Sequence, residues 1–270
     1  MKPFRHPFVA SIALVIVVSL LSGCAVTPIR QHPDFASAAR KVQSIAVLPP
    51  DVEHVRIVFN GDNERVTEKE ATVATELAQG LETSLKNKHY TVRPWLDAKQ
   101  QEQHPNLSFE LQQVRTAYNE AAKQLFDKPA NEEESKKYRV TLGPVVNPVA
   151  SVANAEALLY ARFYGFEKSG GQQTKDILAG ALLGVLTGVI AVPHAEGAAL
   201  EVALIDGVTG DVLWANRGGN SGPHGLGFGA PSMAEKILAR LPDKDAVVVT
   251  PAGEGPKVAE AGAAEAPAQK

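Results

Sequence analysis

Sulfur is scarce in this chain: among 270 residues the one cysteine is Cys24. An internal disulfide is therefore excluded, and with it a disulfide-stapled fold. Aromatic residues make up only 6%, which argues against a glycan hydrolase working with two carboxylates in an aromatic-rich cleft. No basic excess is present. The formal charge is -3, and removal of residues 1–23 would take away Lys2 and Arg5, leaving 25 basic against 30 acidic residues. A nucleic-acid partner is not expected. His32, His54, His89, His104, His194 and His224 are scattered, without HExxH or paired spacing. No zinc site is visible in that pattern, and surface or loop positions are expected for them. The GxSxG and SxxK signatures of serine acyl chemistry are also missing. Nothing in the chain asks for a cofactor.

What is present begins at the N-terminus. Lys2 and Arg5 precede an apolar stretch from Phe8 to Leu21, interrupted only by Ser11 and Ser19, and Leu21-Ser22-Gly23-Cys24 follows. This is the pattern of a secretory signal, residues 1–23, with a lipobox. Small Ser22 and Gly23 suit a signal peptidase, and the Cys24 thiol accepts diacylglycerol, so Cys24 is the expected lipidation site. The apolar run is shorter than the roughly 20 residues a spanning helix needs, which disfavours an uncleaved anchor. Once acylated, the sole thiol is unavailable for nucleophilic or metal chemistry. Ala25 after the cysteine, where Asp is absent, matches enterobacterial-type sorting to the outer membrane. The expected location is the cell envelope, lipid-anchored in the outer membrane and facing the periplasm.

Residues 24–40 are polar with Pro28 and Pro33 and read as a lipidated tether. Residues 251–270 are Ala, Gly, Pro, Glu and Lys with almost no bulky apolar side chain, too little to offset ordering entropy, and are expected to be disordered. Between them, residues 41–250 form the expected domain. At 44% hydrophobic and 21% charged overall, a chain of this length can build a sizeable core.

Inside that domain, Val42 to Leu48 reads as a buried strand stopped by Pro49-Pro50. Thr67 and Glu70 have capping-box spacing, and Val73, Leu77, Leu81 and Leu85 share one face of a helix reaching about Lys88. Tyr90 to Pro94 is a short strand. Leu107, Leu111, Val114, Tyr118, Ala122 and Leu125 mark a second amphipathic helix, closed by Asp127 to Pro129. Glu132 to Arg139 reads as solvated surface. Asn147-Pro148 opens a brief helix. Ala157 to Phe166 then alternates as a strand, with Leu159, Ala161 and Phe163 toward the core. Ala199 to Ile205 and Val212 to Asn216 make a hairpin whose loop contains Gly207 and Gly210, with Asp206 and Asp211 as turn formers. Trp214 is expected to pack on that hairpin, and a helix over about Ser232 to Leu241 ends the domain. This order predicts an α/β (α+β) fold: a mixed sheet of about five strands flanked by helices, with a C-terminal β-hairpin and a final helix.

The strands carry a resemblance. Ile45-Ala46-Val47-Leu48-Pro49 after a lipidated tether, Ala155-Glu156-Ala157-Leu158-Leu159-Tyr160, and Ala203-Leu204-Ile205-Asp206 with Thr209-Gly210-Asp211-Val212-Leu213-Trp214 resemble segments of two lipoprotein groups. These are the curli-secretion (CsgG-like) lipoproteins and the penicillin-binding-protein activators. The likeness spans most of residues 43–241 and lies in strand and turn signatures, without a catalytic residue. It implies an outer-membrane lipoprotein whose periplasmic domain binds other envelope proteins or assembles with itself.

Two glycine-bearing segments stand apart. In 177–192 every residue from Ile177 to Val192 is apolar except Thr187, and Gly180, Gly184 and Gly188 recur at every fourth position. On a helix these form a small-residue stripe suited to close packing with another helix, or to membrane contact. A buried core helix is the other reading. A pore hairpin would alternate polar with apolar residues, and this run does not. Gly225-Leu226-Gly227-Phe228-Gly229-Ala230 fits a dinucleotide fingerprint only in letters, since it trails a hairpin instead of a buried parallel strand. The expectation is a non-enzymatic envelope lipoprotein acting by protein contacts or self-assembly. The alternatives are a subunit of an outer-membrane secretion pore and, less favoured, a periplasmic glycan hydrolase.

Overall fold

The computed structural model describes residues 29–57, 63–96, 98–127, 131, 133–168, 196–222 and 229–249. Its strands are β1 (Arg30–Gln31), β2 (Ser44–Val47), β3 (Asp51–Ile57), β4 (Asn63–Arg65), β5 (Thr91–Arg93), β6 (Ala157–Lys168), β7 (Glu196–Asp206) and β8 (Val212–Gly222). Its α-helices are α1 (Phe35–Lys41), α2 (Thr67–Asn87), α3 (Ala98–Glu102), α4 (Leu107–Phe126), α5 (Asn147–Val152), α6 (Ala230–Leu238) and α7 (Lys244–Val249). The expected class holds: a mixed sheet flanked by helices. It has eight strands where about five were expected. The additions include β1 and β4, too short to show a period, and β3, whose Glu53, His54 and Arg56 hide its alternation.

Strand β6 is the axis of the sheet. It runs antiparallel to β7, which pairs antiparallel with β8, and β1 adds antiparallel to β8. On its other side β6 lies parallel to β2 and then to β3, while β5 extends the sheet beside β2 and β4 beside β3. Pro49-Pro50 does not end this side of the sheet. Between Val47 and Asp51 the chain advances four residues while β6 advances three, from Leu159 to Arg162. Prolines cannot donate to the ladder, so one residue bulges and pairing resumes.

Both faces of the sheet are covered, which is why β6 reads as a nearly continuous apolar run. Leu159, Ala161 and Phe163 pack with Leu77, Leu81 and Leu85 of α2, with Phe35 and Ala39 of α1, and with Met233, Ala234 and Leu238 of α6. Leu158 and Tyr160 point the other way, against Val114, Tyr118, Ala122 and Leu125 of α4 and Val149 of α5. Gly80 permits the contact between α2 and α6, because a Cβ there would lie 2.7 Å from Pro231 Cα. Trp214 is fully buried among the α2-face residues.

Three local expectations need correction. The polar stretch to Arg40 is not all tether, because Arg30–Gln31 is a strand and α1 buries Phe35 and Ala39. The amphipathic spacing of those two residues supplies the docking face. Thr67 and Glu70 form no capping box: Thr67 is already helical and no side chain caps the start of α2. Glu70 instead accepts the His54 amide at 3.1 Å and Arg65 at 2.6 Å. His32 and His54 are buried rather than on the surface.

Candidate interaction surface

Among the described residues, strand β8 has β1, His32 and Val140 beside its first half and no strand beside its second. Only Ala215 and Trp214 meet β1, through Arg30 and Gln31. Among the described residues, Asn216–Gly222 pairs with β7 on one side and with no strand on the other. Peptide groups on that outer side are a template for strand addition. Within this stretch Asn216 and Arg217 are buried and Ile237 lies against Gly218, while Gly219 is exposed. The β7–β8 turn is built firmly. Asp206 Oδ1 accepts the amides of Val208 (2.9 Å) and Thr209 (2.8 Å). Gly210 sits at φ +77°, with an added Cβ only 2.2 Å from Gly143 O, so no other residue fits.

Buried charge holds β1 in place. Arg30 is 1% exposed, donates its Nε to Leu125 O at 2.6 Å, and lies 5.0 Å from the Tyr138 ring centroid and 5.8 Å from that of Phe126. Arg217 donates to Phe126 O at 3.0 Å and stacks 4.7 Å from the same ring. Two guanidinium groups thus satisfy the terminal carbonyls of α4, at the negative end of its dipole. Arg217 also belongs to a row across three strands, Arg162–Glu201–Arg217, set by the register. Arg162 contacts Glu201 Oε2 at 2.8 Å and Asn119 at 2.9 Å. Burial pushes the Glu201 carboxyl above its ordinary value, against the pull of Arg162 and Arg217. Burial likewise lowers the Arg217 guanidinium, with Glu201 opposing.

On the α2 face, toward the end of the sheet where β3 and β6 finish, lies a second polar group. Fully buried His54 faces Glu167 at 3.6 Å, beyond hydrogen-bond distance. Glu167 also takes Arg56 at 2.7 Å and a short contact from Lys69. Burial alone would raise the Glu167 carboxyl, but hydrogen bonds from Lys69 and Arg56 outweigh it and hold the group below its ordinary value. Burial lowers His54, and Lys69 adds to that, so its ring stays neutral at pH 7. Gly165 makes room for the ring, since a Cβ there would meet His54 Nδ1 at 2.6 Å.

At the opposite end of the sheet is a polar cleft of about 430 Å³ lined by Ser44, Arg93, Asn147, Asn154, Glu156 and Val208 among others. Its carboxylate is already engaged. Glu156 Oε2 accepts the amides of Gln43 (2.6 Å) and Ser44 (2.7 Å), closing the entry to β2. Asn147 similarly clamps the carbonyls of Gly207 and Val208. These side chains serve the fold.

Cys24, Gly180, Gly184 and Gly188 lie outside the described residues, as do the apolar segment 177–192, the tail 251–270 and Gly225 to Phe228. Asp206 is a turn former as expected. Sequence reasoning missed Arg30, His54, Glu201 and Arg217. For Glu201 and Arg217 the signal was parity, a polar residue at a core-facing position of a strand, whereas Arg30 and His54 lie in strands whose period the sequence does not show. Among the described residues no group of three or more His, Cys, Asp or Glu side chains could hold a metal, and no helix is long and apolar enough to cross a membrane.

No protein-family model matches the chain, and no curated protein does. Solved structures give low-level likenesses. The PelC dodecamer from Paraburkholderia phytofirmans is 13% identical, over 73% of this chain and 87% of that one, at TM-score 0.31. The LpoB C-terminal domain from Salmonella enterica is 15% identical, over 78% and 94%, at TM-score 0.26. A lipoprotein from Neisseria meningitidis is 14% identical, over 74% and 99%, at TM-score 0.28. Likeness at this level assigns no task, and a solved lipoprotein is among the structures to which this chain is similar.

Proposed function

We propose that this is a lipid-anchored envelope protein that acts without catalysis, by binding another envelope protein or a second copy of itself along the outer edge of β8. The observation that carries the reading is the open stretch Asn216–Gly222, whose free side no described strand covers. A partner's extended segment would continue the ladder there, main-chain hydrogen bonds supplying affinity. The lipobox at Cys24 supports an envelope location, in keeping with the resemblance of the strand motifs to curli-secretion and penicillin-binding-protein-activator lipoproteins. The carboxylates Glu156, Glu167 and Glu201 are held by the protein's own donors, which supports a binding role over hydrolysis.

A photo-crosslinking residue placed at exposed Gly219, compared with one at exposed Thr75 on α2, tests this in intact cells. Adducts from Gly219 and none from Thr75 are expected, and their mass separates a second copy from a different protein. Equal labelling from both positions, or none from Gly219, would remove the β8 edge from the account. A ring-sized native mass of the detergent-extracted protein would favour a pore or scaffold over an adaptor.

A further inference from the structure

Edge strand β5 carries an arginine in a row that is otherwise apolar. The register sets Arg93 beside Ala46, Ala46 beside Leu158 and Leu158 beside Ile205. Those three neighbours are fully buried, on the face of the sheet that α4 and α5 cover. Arg93 ends the row at the sheet edge, exposed, and lines the polar cleft. Its aliphatic stem extends the apolar row while its charged head stays in water.

Arg30, Arg162 and Arg217 each serve the fold by holding a helix carbonyl or a carboxylate. Arg93 holds neither among the described residues. The other charged residue lining the cleft is Glu156. One of its oxygens is engaged by the Gln43 and Ser44 amides, and its charge faces the Lys244 ammonium. The side chains of Ser151 and Asn154, also in the lining, make no hydrogen bond among the described residues. A guanidinium without a counter-charge, beside a free hydroxyl and a free carboxamide, suits a carboxylate, which it takes in a planar two-pronged grip.

Val208 stands at the rim of the same cleft, 75% exposed. Its backbone is nonetheless fixed. Asp206 Oδ1 accepts its amide at 2.9 Å, and Asn147 Nδ2 donates to its carbonyl at 2.6 Å. Gly207 is held too, its amide donating to Glu156 O at 2.8 Å and its carbonyl accepting from Asn147 at 2.8 Å. An apolar side chain presented on a pinned turn forms a contact with little further loss of backbone freedom.

We propose that the cleft and Val208 form a second docking surface, which receives an acidic segment of a partner protein with a carboxylate on Arg93 and a neighbouring apolar side chain on Val208. A small free carboxylate would leave Val208 unused. This surface shares no residue with the β8 edge, so failure of the Gly219 crosslinks leaves it standing.

The test is a titration of the full chain in detergent, followed by the NMR signals of the Arg93 Nε–H and the Val208 methyl groups. The probes are the capped peptide Leu-Glu-Leu, its uncharged isostere Leu-Gln-Leu, and acetate. The glutamate peptide should move both signals, the glutamine peptide should bind about tenfold more weakly, and acetate should move Arg93 alone. Arg93→Gln should abolish the preference for glutamate and leave the amide spectrum outside the cleft unchanged. Equal affinity for the two peptides, or a glutamate preference that survives Arg93→Gln, overturns the proposal. So does a glutamate peptide that moves Arg93 without Val208, which would make the cleft a site for a free carboxylate only. If Arg93→Gln disturbs signals throughout the chain, Val208→Ser decides: weaker binding of the glutamate peptide with an unchanged response to acetate supports the surface, and unchanged peptide binding removes it.

Discussion

Glu167 and Glu201 sit on opposite faces of one sheet, each paired with basic side chains, yet they respond to the fold in opposite directions. Glu167, 14% exposed, is touched by Arg56 and Lys69, both more than 40% exposed. Its donors outweigh its desolvation, and its carboxyl is held low. Glu201, 5% exposed, meets Arg162 in the interior, and desolvation prevails. Depth decides between them, because the penalty for leaving water grows faster with burial than the gain from a counter-charge.

The sharpest way to break that comparison is Arg162→Ala. It leaves Glu201 buried with Arg217 as its remaining counter-charge and removes the partner of Asn119, so a loss of about 3–5 kcal/mol is expected in urea unfolding. A loss under about 1 kcal/mol would mean water reaches Glu201 and the contrast in depth is false. Glu167→Gln should cost about 1 kcal/mol, since Arg56 and Lys69 can turn to solvent once the carboxylate is gone.

Acid sharpens the contrast through its sign. His54 has a folded value below 6.5, so the unfolded chain binds more protons, and its contribution to stability is lost as pH falls below 6.5. Glu167, with a folded value below 4.5, loses its contribution further down the scale. Thermal melts from pH 7 to 5 should show a decline that His54→Gln reduces; an unchanged slope in that variant would show that the ring already takes up its proton in the fold. Glu201 runs the other way, its contribution present below pH 4.5 and lost as pH rises through the raised value. The smallest effect follows: at pH 7 Glu201→Gln should be neutral or slightly stabilising, the opposite of Glu167→Gln. Equal destabilisation by the two substitutions would erase the difference.

Much of the fold was legible. The apolar spacing in Leu77, Leu81 and Leu85, and the alternation Leu159, Ala161, Phe163, are local periods that a single helix or strand imposes. The hairpin was legible from Asp206, Gly207 and Gly210 because turn chemistry is local too. Where the candidate surface was concerned, little could be read. Nothing near Asn216 in the chain says that, among the described residues, β1 pairs only two positions of β8 and no strand lies beside the next seven. Glu70 matched a capping pattern, yet a strand partner at His54 and a cation at Arg65 claimed it first.

By its own pattern of residues the chain determined the order of its main helices and strands, the core-facing positions Leu159, Ala161 and Phe163 of β6, the firm hairpin turn and the expectation of an acyl anchor at Cys24. Each depends on neighbours a few positions away or on a motif read linearly. Only the tertiary structure decided that strand pairing resumes beyond Pro49-Pro50, that Arg30 locks to Leu125 across 95 positions, and that two glutamates with similar partners behave oppositely. These depend on which distant groups meet and how much water is left between them, and periodicity carries no information about either.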